Sequence, residues 1–350
     1  SGEKAIAKYF IDNQNSIIEV DEKNNNKTLR TYFDEAFWMD LITFEGNANG
    51  FRILTNNFNR KNEGGLNLTY TTLASTLKYP CSSKQINEDK ISTKKYNYFQ
   101  SEISTFQEVC EKTNMKVDAV GPKSYFRHPF TYLVEAADDI CNTIIDLEDA
   151  HRIGILSYEE VSGLLLKLID CVVKENVHLD ENSRIQEPKD YNEYLSNLRT
   201  AAIDILTVKC AAFFDEYKEE IIQGKWDDKN CTLFEMVASR CGEVREIQRV
   251  SASKIYNHNK VIKIELTGYK VLYDLLNLFI PAILKKEKNR THKDNKIISL
   301  IPEQFQPPLD KEPQHYLKVM SVLDFISGMT DLYAIQLYRD LHGIEITEHK

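Results

Sequence analysis

Between Arg127 and Ala150 the sequence reads RHPFTYLVEAADDICNTIIDLEDA. Wound as an α-helix, at about 100° per residue, it gathers Leu133, Ala136, Ala137, Ile140, Ile144 and Leu147 on one face. Glu135, Asp138, Asn142, Asp146 and Asp149 share another. Asp138, Asn142 and Asp146 recur every fourth residue, so their side chains stack along one line. Like charges in that arrangement repel unless a cation or a hydrogen-bonding ligand offsets them. A solvated acidic face has the same pattern. Against it, Ala136, Ala137, Ile140, Cys141, Ile144 and Ile145 leave the helix little other polar surface, as expected of a central helix that carries a site. His128 lies close by in Arg-His-Pro, where a loop or capping role suits it better than metal ligation.

The rest of the chain must position that helix. Helical periodicity predicts helices over 1–12, 33–58, 66–77, 99–113, 130–150, 158–175, 189–221, 231–249, 251–257, 268–285 and 313–342. Val261–Leu266 and Ile185–Pro188 read as strand or extended chain. Asn57–Gly65 and the basic run Lys285–Lys296 read as loops. There is no βαβ alternation and no GxGxxG, which counts against a Rossmann or P-loop nucleotide site. The expectation is one all-α domain with helix 130–150 near its centre.

Composition narrows the function classes. The 350 residues are 42% hydrophobic and 28% charged, with a formal net charge of −9. That balance is against a generally basic nucleic-acid binder, although a phosphate site needs only a few placed cations. No apolar run approaches the roughly 18 residues of a membrane span. Seven scattered cysteines with no CxxC pair are expected to be structural thiols in a reducing, cytoplasmic setting.

At this point a resemblance becomes specific. RHPFTYLVEAADDI and IIDLEDA are similar to the signature of bacterial deoxyguanosinetriphosphate triphosphohydrolases, an all-helical branch of the HD-domain superfamily. The similarity runs along nearly the whole chain. Ser1-Gly2-Glu3 looks like the tail of HDxGxPPFGHxGE, and FEGNANGFR at 44–52 resembles FEGNAQGFR. GLNLTY at 65–70 with LKYP at 77–80 resembles GLNLTYATLGAFLKYP. KYNYFQSE at 95–102 resembles KYGFFQSE, and LIPEQF at 300–305 with DFISGMTDLYA at 324–334 matches the family's C-terminal half.

The resemblance implies an HD-type fold and hydrolysis of a deoxynucleoside triphosphate, dGTP first among them, to deoxynucleoside and triphosphate. It implies a divalent cation, Mg or Mn, with Asp138 as one ligand. Glu3 would lie beside the attacking water and Asn47 near the α-phosphate. Lys78 and Lys95 would reach the polyphosphate, and Tyr79 the sugar. Asn142 stands where a tyrosine usually meets the deoxyribose, and Asp146 would accept from the 3′-hydroxyl. The family's other metal ligands, a His and a His-Asp pair, would precede Ser1. None of the eight histidines here sits in a His-Asp dipeptide, so these 350 residues alone are expected not to turn over. A homo-oligomer and a nucleotide effector are also implied, and no membrane partner.

Two other readings remain open at this stage. The departures Asn49, Asn97 and Asn142 keep alive a non-catalytic nucleotide-binding or scaffolding member of the same fold. Lys285–Lys296 keeps alive a nucleic-acid contact.

Overall fold

The computed structural model describes residues 2–20, 24–56, 58, 65–118, 124–174, 190–307 and 313–344, without the side chains of 172–174. Among these the fold is all-α, with fifteen α-helices. The first seven are α1 (Gly2–Asn13), α2 (Glu35–Ile42), α3 (Gly46–Thr55), α4 (Tyr70–Ser75), α5 (Ile103–Lys112), α6 (Pro129–Arg152) and α7 (Tyr158–Lys174). There follow α8 (Tyr191–Glu216), α9 (Lys218–Ile222), α10 (Leu233–Arg240), α11 (Gly242–Val250) and α12 (Asn259–Leu284). The chain closes with α13 (His292–Ile298), α14 (Gln314–Ser327) and α15 (Asp331–Leu341). Two small antiparallel hairpins accompany them, β1 (Ile17–Val20) with β2 (Asn26–Thr28) and β3 (Val117–Asp118) with β4 (Ser124–Tyr125).

The apolar residues gather in three clusters. One joins α1, α2, α12, α14 and α15 around Phe10, Trp38, Phe279 and Phe325. The second packs α6 against α7, α8, α10 and α11, and the third packs α3, α4 and α5 around Phe51 and Phe106. The carboxylate helix α6 is the centre of the second. Tyr132, Ala136, Ile140, Ile144 and Leu147 are buried along one stripe against Leu198, Ala202 and Leu206 of α8 and Val161 and Leu165 of α7. Truncating a buried residue of that stripe, such as Ile140→Ala, would cost about 2–5 kcal/mol. Leu133 is only half-buried and Ala137 is exposed, so the buried stripe is narrower than the helical wheel implies. α6 starts at Pro129, a residue suited to the first helical turn. His128 caps it, its Nδ1 accepting from the Phe130 N–H at 3.2 Å.

Local capping chemistry divides several segments that periodicity alone joins. The 33–58 segment breaks at 43–45, where Asp34 caps α2 and Glu45 caps α3, the latter accepting from the Asn47 N–H at 3.3 Å. The 231–249 segment breaks at Cys241, and 313–342 breaks at Gly328–Thr330, where Thr330 caps α15. Val261–Leu266 is not extended but the first part of α12, started by His258, whose Nδ1 accepts from the Lys260 N–H at 3.2 Å. The β-branched run loses only a few tenths of a kcal/mol per residue in a helix, and the continuous pattern from residue 268 onward carries it along. Lys285–Lys296 is not all loop. Thr291 and Asp294 form a capping box that starts α13, and Lys285 is held on Asp294 at 2.9 Å. Ile185–Pro188 and most of Asn57–Gly65 lie outside the described residues.

Candidate functional site

Asp138, Asn142 and Asp146 share one line along α6, outside its buried stripe. Asp138 and Asn142 are exposed, and Asp146 is half-buried. The Asn142 amide donates to Asp138 Oδ1 at 3.2 Å, so an amide sits where a third carboxylate would add repulsion. Two turns along, Asp146 Oδ2 accepts from the Tyr256 hydroxyl at 2.7 Å. Burial, and then that bond to Asp146, pushes the Tyr256 phenol up to about 12. Asp146 is thus already set to accept from a hydroxyl.

Glu135, one turn before Asp138, behaves differently. It is buried and locked by Arg127, whose Nη1 donates to Glu135 Oε2 at 2.7 Å. The same guanidinium donates through Nε (2.9 Å) and Nη2 (2.6 Å) to Asp227 Oδ1, which also accepts from the Tyr132 hydroxyl at 2.9 Å. Arg127, the first residue of the Arg-His-Pro run, is therefore the buried counter-ion of α6. Removing one partner of such a buried pair leaves an uncompensated charge, which costs several kcal/mol.

Lys78 follows α4 and brings its Nζ to 3.3 Å from Glu135 Oε1. The angle makes this an ion pair without a hydrogen bond, and buried Glu135 Oε1 receives none. Lys78 also faces Asp139, the second carboxylate of the Asp138-Asp139 pair. Burial, opposed by Lys78, pushes Asp139 up to about 6, and its Oδ2 accepts from the Thr232 hydroxyl at 3.2 Å.

Lys95 belongs to a second group. Its Nζ lies 2.8 Å from Glu45 Oε2 and 3.6 Å from Glu3 Oε2. Glu3 reaches across from α1, with Oε1 accepting from the Gly46 N–H at 2.8 Å. Gly46 is required by that approach, since a Cβ there would stand 2.6 Å from Glu3 Oε1. The Asn47 amide donates to Glu45 Oε1 at 2.5 Å, so Asn47 and Lys95 share one carboxylate.

Buried Asn97 joins the two groups. Its Oδ1 accepts from the Tyr79 N–H at 2.8 Å, and its Nδ2 donates to the carbonyls of Asn47 (3.2 Å) and Thr76 (3.4 Å). Tyr79 is buried between them. Burial first, then the carboxylates of Glu135 and Glu45, hold its phenol well above the ordinary range. The Lys78 ammonium stands 5.9 Å from the Tyr79 ring centre. A further tie runs to the C-terminal half. Arg52 of α3 makes a two-pronged contact with Asp324 of α14, both bonds at 2.7 Å, and the Asn49 amide donates to Ser327 Oγ at 3.3 Å. DFISGMTDLYA thus packs on the helix that carries Asn47.

Glu3, Asn47 and Lys95 therefore form one group, Lys78 and Tyr79 stand in a second beside α6, and Asp138, Asn142 and Asp146 line α6 itself. Sequence reasoning missed Glu45, Glu135, Asp139, Arg127, Asn97 and Tyr256 as partners. Glu45 and Arg127 lay inside quoted motifs, but Lys95, the partner of Glu45, and Asp227, one partner of Arg127, are 50 and 100 residues away in sequence. Glu135, the other partner of Arg127, lies in the same motif, where it reads as part of the acidic face. A divalent ion finds one carboxylate at Asp138. Among the described residues no trio of His, Cys, Asp or Glu donors that includes Asp138 is gathered. These residues alone do not fit a complete divalent-cation site, which takes several ligands.

Comparison with known proteins gives the chain a family. Residues 236–340 match the family model of a phosphohydrolase-associated domain. A deoxyguanosinetriphosphate triphosphohydrolase-like protein of Synechocystis is 33% identical over 329 residues, covering 93% of this chain and 70% of that protein. One of Listeria monocytogenes is 29% identical, covering 98% of this chain and 73% of that protein. A deoxyguanosinetriphosphate triphosphohydrolase of Yersinia pestis is 26% identical, covering 87% of this chain and 65% of that protein. The chain thus spans roughly two thirds to three quarters of the length of these relatives, and it belongs to the deoxyguanosinetriphosphate triphosphohydrolase-like family.

Proposed function

We propose that this chain forms the substrate-holding part of a deoxynucleoside-triphosphate triphosphohydrolase, which releases a deoxynucleoside and intact triphosphate. The observation that carries the reading is the placement of Lys78 and Lys95. They come from separate segments that Asn97 ties together, and Lys78 stands beside the Tyr79 ring. Both lysines already pair with carboxylates, Lys78 with Glu135 and Lys95 with Glu45 and Glu3. Lys78 makes an ion pair without a hydrogen bond, and the Lys95 side chain is 42% exposed. Each can turn to a polyphosphate, whose charge exceeds that of the carboxylate it leaves.

In the reaction water adds to the α-phosphorus, the bond to the nucleoside 5′-oxygen breaks, and that oxygen leaves as the nucleoside hydroxyl by taking a proton from solvent. The lysines stabilise negative charge on the polyphosphate oxygens as the nucleoside departs. Glu3, with Oε1 fixed by the Gly46 N–H, presents Oε2 to orient the water and accept its proton. Asn47 offers an amide toward the α-phosphate. Tyr79, kept a neutral phenol, packs against the sugar, and Asn142 lies beside it on α6. Asp146 exchanges its Tyr256 partner for the 3′-hydroxyl. Asp138 supplies one carboxylate toward a divalent ion, and no step is derived through that ion. Among the described residues no helix is long and apolar enough to cross a membrane, and a cytoplasmic nucleotide pool is the proposed setting.

Triphosphate release by the complete protein from a deoxynucleotide and from its 2′,3′-dideoxy counterpart tests the assignment. Wild type should favour the deoxynucleotide. Asp146→Ala should erase that preference, with a loss of roughly tenfold or more on the deoxynucleotide, as for a hydrogen bond to a charged group. Retained preference would remove Asp146 from the site.

The incomplete donor set at Asp138 favours a second reading, a non-catalytic nucleotide-binding member. Saturable dNTP binding by the complete protein, with no triphosphate released in Mg or Mn, would select it.

A further inference from the structure

Cys171, Cys241 and Glu243 converge where α7 meets the joint between α10 and α11. One ligand atom from each, two sulfurs and a carboxylate oxygen, all lie within 4.8 Å of one another. Cys241 is buried, while Cys171 and Glu243 are half-buried. The Cys241 thiol contacts Glu243 Oε2 at 3.4 Å. Cys241 is fixed by its backbone, ending α10 with its N–H donated to Val237 O at 2.9 Å and opening α11. One turn away on each helix, Lys167 of α7 pairs with Glu246 of α11 at 3.4 Å, which holds the two helices in register beside the cluster. A cavity of about 270 Å³ between α8 and α10 reaches Cys241 from the other side.

We infer that Cys171, Cys241 and Glu243 form a binding site for a soft divalent cation, zinc in the first instance. Two sulfurs select zinc over magnesium or calcium, which take oxygen ligands. Zinc–sulfur bonds of about 2.3 Å at a tetrahedral angle bring two sulfurs to about 3.8 Å, so closure from the present spacing needs a shift of about an ångström or less. Water completes the shell as the fourth ligand. Both thiol protons leave to solvent as the S–Zn bonds form. The cluster carries one negative charge before binding, on Glu243, and one after, so binding adds no net charge to a partly buried place. A Cys171–Cys241 disulfide is the competing use of these sulfurs, but it gives no reason for a carboxylate to converge on both. The bound ion would pin α7 to the α10–α11 joint and so brace the helices that α6 packs against.

The test uses the 350-residue chain stripped of metal by a chelator and titrated with cobalt(II), a spectroscopic stand-in for zinc. One equivalent should bind with thiolate-to-cobalt charge-transfer absorption. The band should vanish in Cys171→Ser and Cys241→Ser. Glu243→Gln should keep it with affinity lowered by at least the roughly 10–100-fold that losing an outer-shell partner costs. Cys231→Ser, a cysteine outside the cluster, should match wild type. Zinc should raise the Tm of wild type and leave that of Cys171→Ser unchanged. Should buried Cys241→Ser fail to fold, half-buried Cys171 and Glu243 carry the test. Absence of the band in wild type, its persistence in Cys171→Ser, or loss of two titratable thiols to a disulfide under air with no metal bound would each overturn the proposal.

Discussion

Asn97 Oδ1 accepts the backbone N–H of Tyr79 at 2.8 Å, while the same amide donates to the carbonyl of Asn47 at 3.2 Å. One buried side chain thereby sets the spacing between the segment carrying Lys78 and the helix start carrying Asn47. In the family motif this position is a glycine, so Asn97 first reads as a departure that weakens the match. In the structure it is the tie between the two lysine-bearing groups.

Asn97→Ala should therefore destabilise the chain by about 1–3 kcal/mol, the cost of leaving buried polar groups unsatisfied. It should also weaken triphosphate binding, because Tyr79 and Asn47 lose their common anchor. Urea unfolding and calorimetry read the two effects. Unaltered unfolding would show that solvent or a shifted neighbour satisfies those groups.

Gly46→Ala separates geometry from stability. The new methyl would meet Glu3 Oε1 at 2.6 Å, but that atom is the far end of a flexible, partly exposed side chain. Glu3 should swing away with a change of about 0.5 kcal/mol or less. Turnover by the complete protein should fall by about tenfold or more, as for a displaced acid–base group. Turnover equal to wild type would remove Glu3 from the reaction.

Asp139 makes stability depend on pH in a defined direction. Burial, opposed by Lys78, pushes its folded-state carboxyl up to about 6. The folded chain then holds the proton more tightly than the unfolded chain. Its stability contribution falls as pH rises from about 4 to about 6 and is level beyond. Asp139→Asn removes that loss. The variant should match wild type near pH 4 and exceed it by about 1–2 kcal/mol above pH 6.5, a figure reduced for partial exposure. Urea titrations at both pH values would show this, and a difference independent of pH would mean that Asp139 does not titrate in this range.

Much of this was legible in the residues, and the failures share a cause. Ala136, Ile140, Ile144 and Leu147 of the buried stripe and the capping role of His128 are local features, set by helical spacing and one Pro, while Tyr132 is buried in place of the expected Leu133 and Ala137. The line of Asp138, Asn142 and Asp146 follows from the same spacing. Glu135 sits on the edge of that line, and no local rule reveals that Arg127 and Asp227, 100 residues apart, bury it. The breaks at Glu45 and Cys241 depend on single caps inside otherwise continuous patterns. The β1–β2 hairpin went unread because its strands are only 4 and 3 residues long. Val261–Leu266 misled because its β-branched run points outward from a helix, with Ile264 69% exposed.

The central claim is that Lys78 and Lys95 together hold a triphosphate. Isothermal titration of inorganic triphosphate into the 350-residue chain tests it without depending on turnover. Wild type should bind one equivalent. Lys78→Met and Lys95→Met should each weaken binding by about tenfold or more, the worth of a charge-assisted hydrogen bond. Lys270→Met, which removes an exposed partner of Asp274, should leave binding unchanged. Equal affinity in wild type and in the Lys78→Met, Lys95→Met double variant would contradict the account.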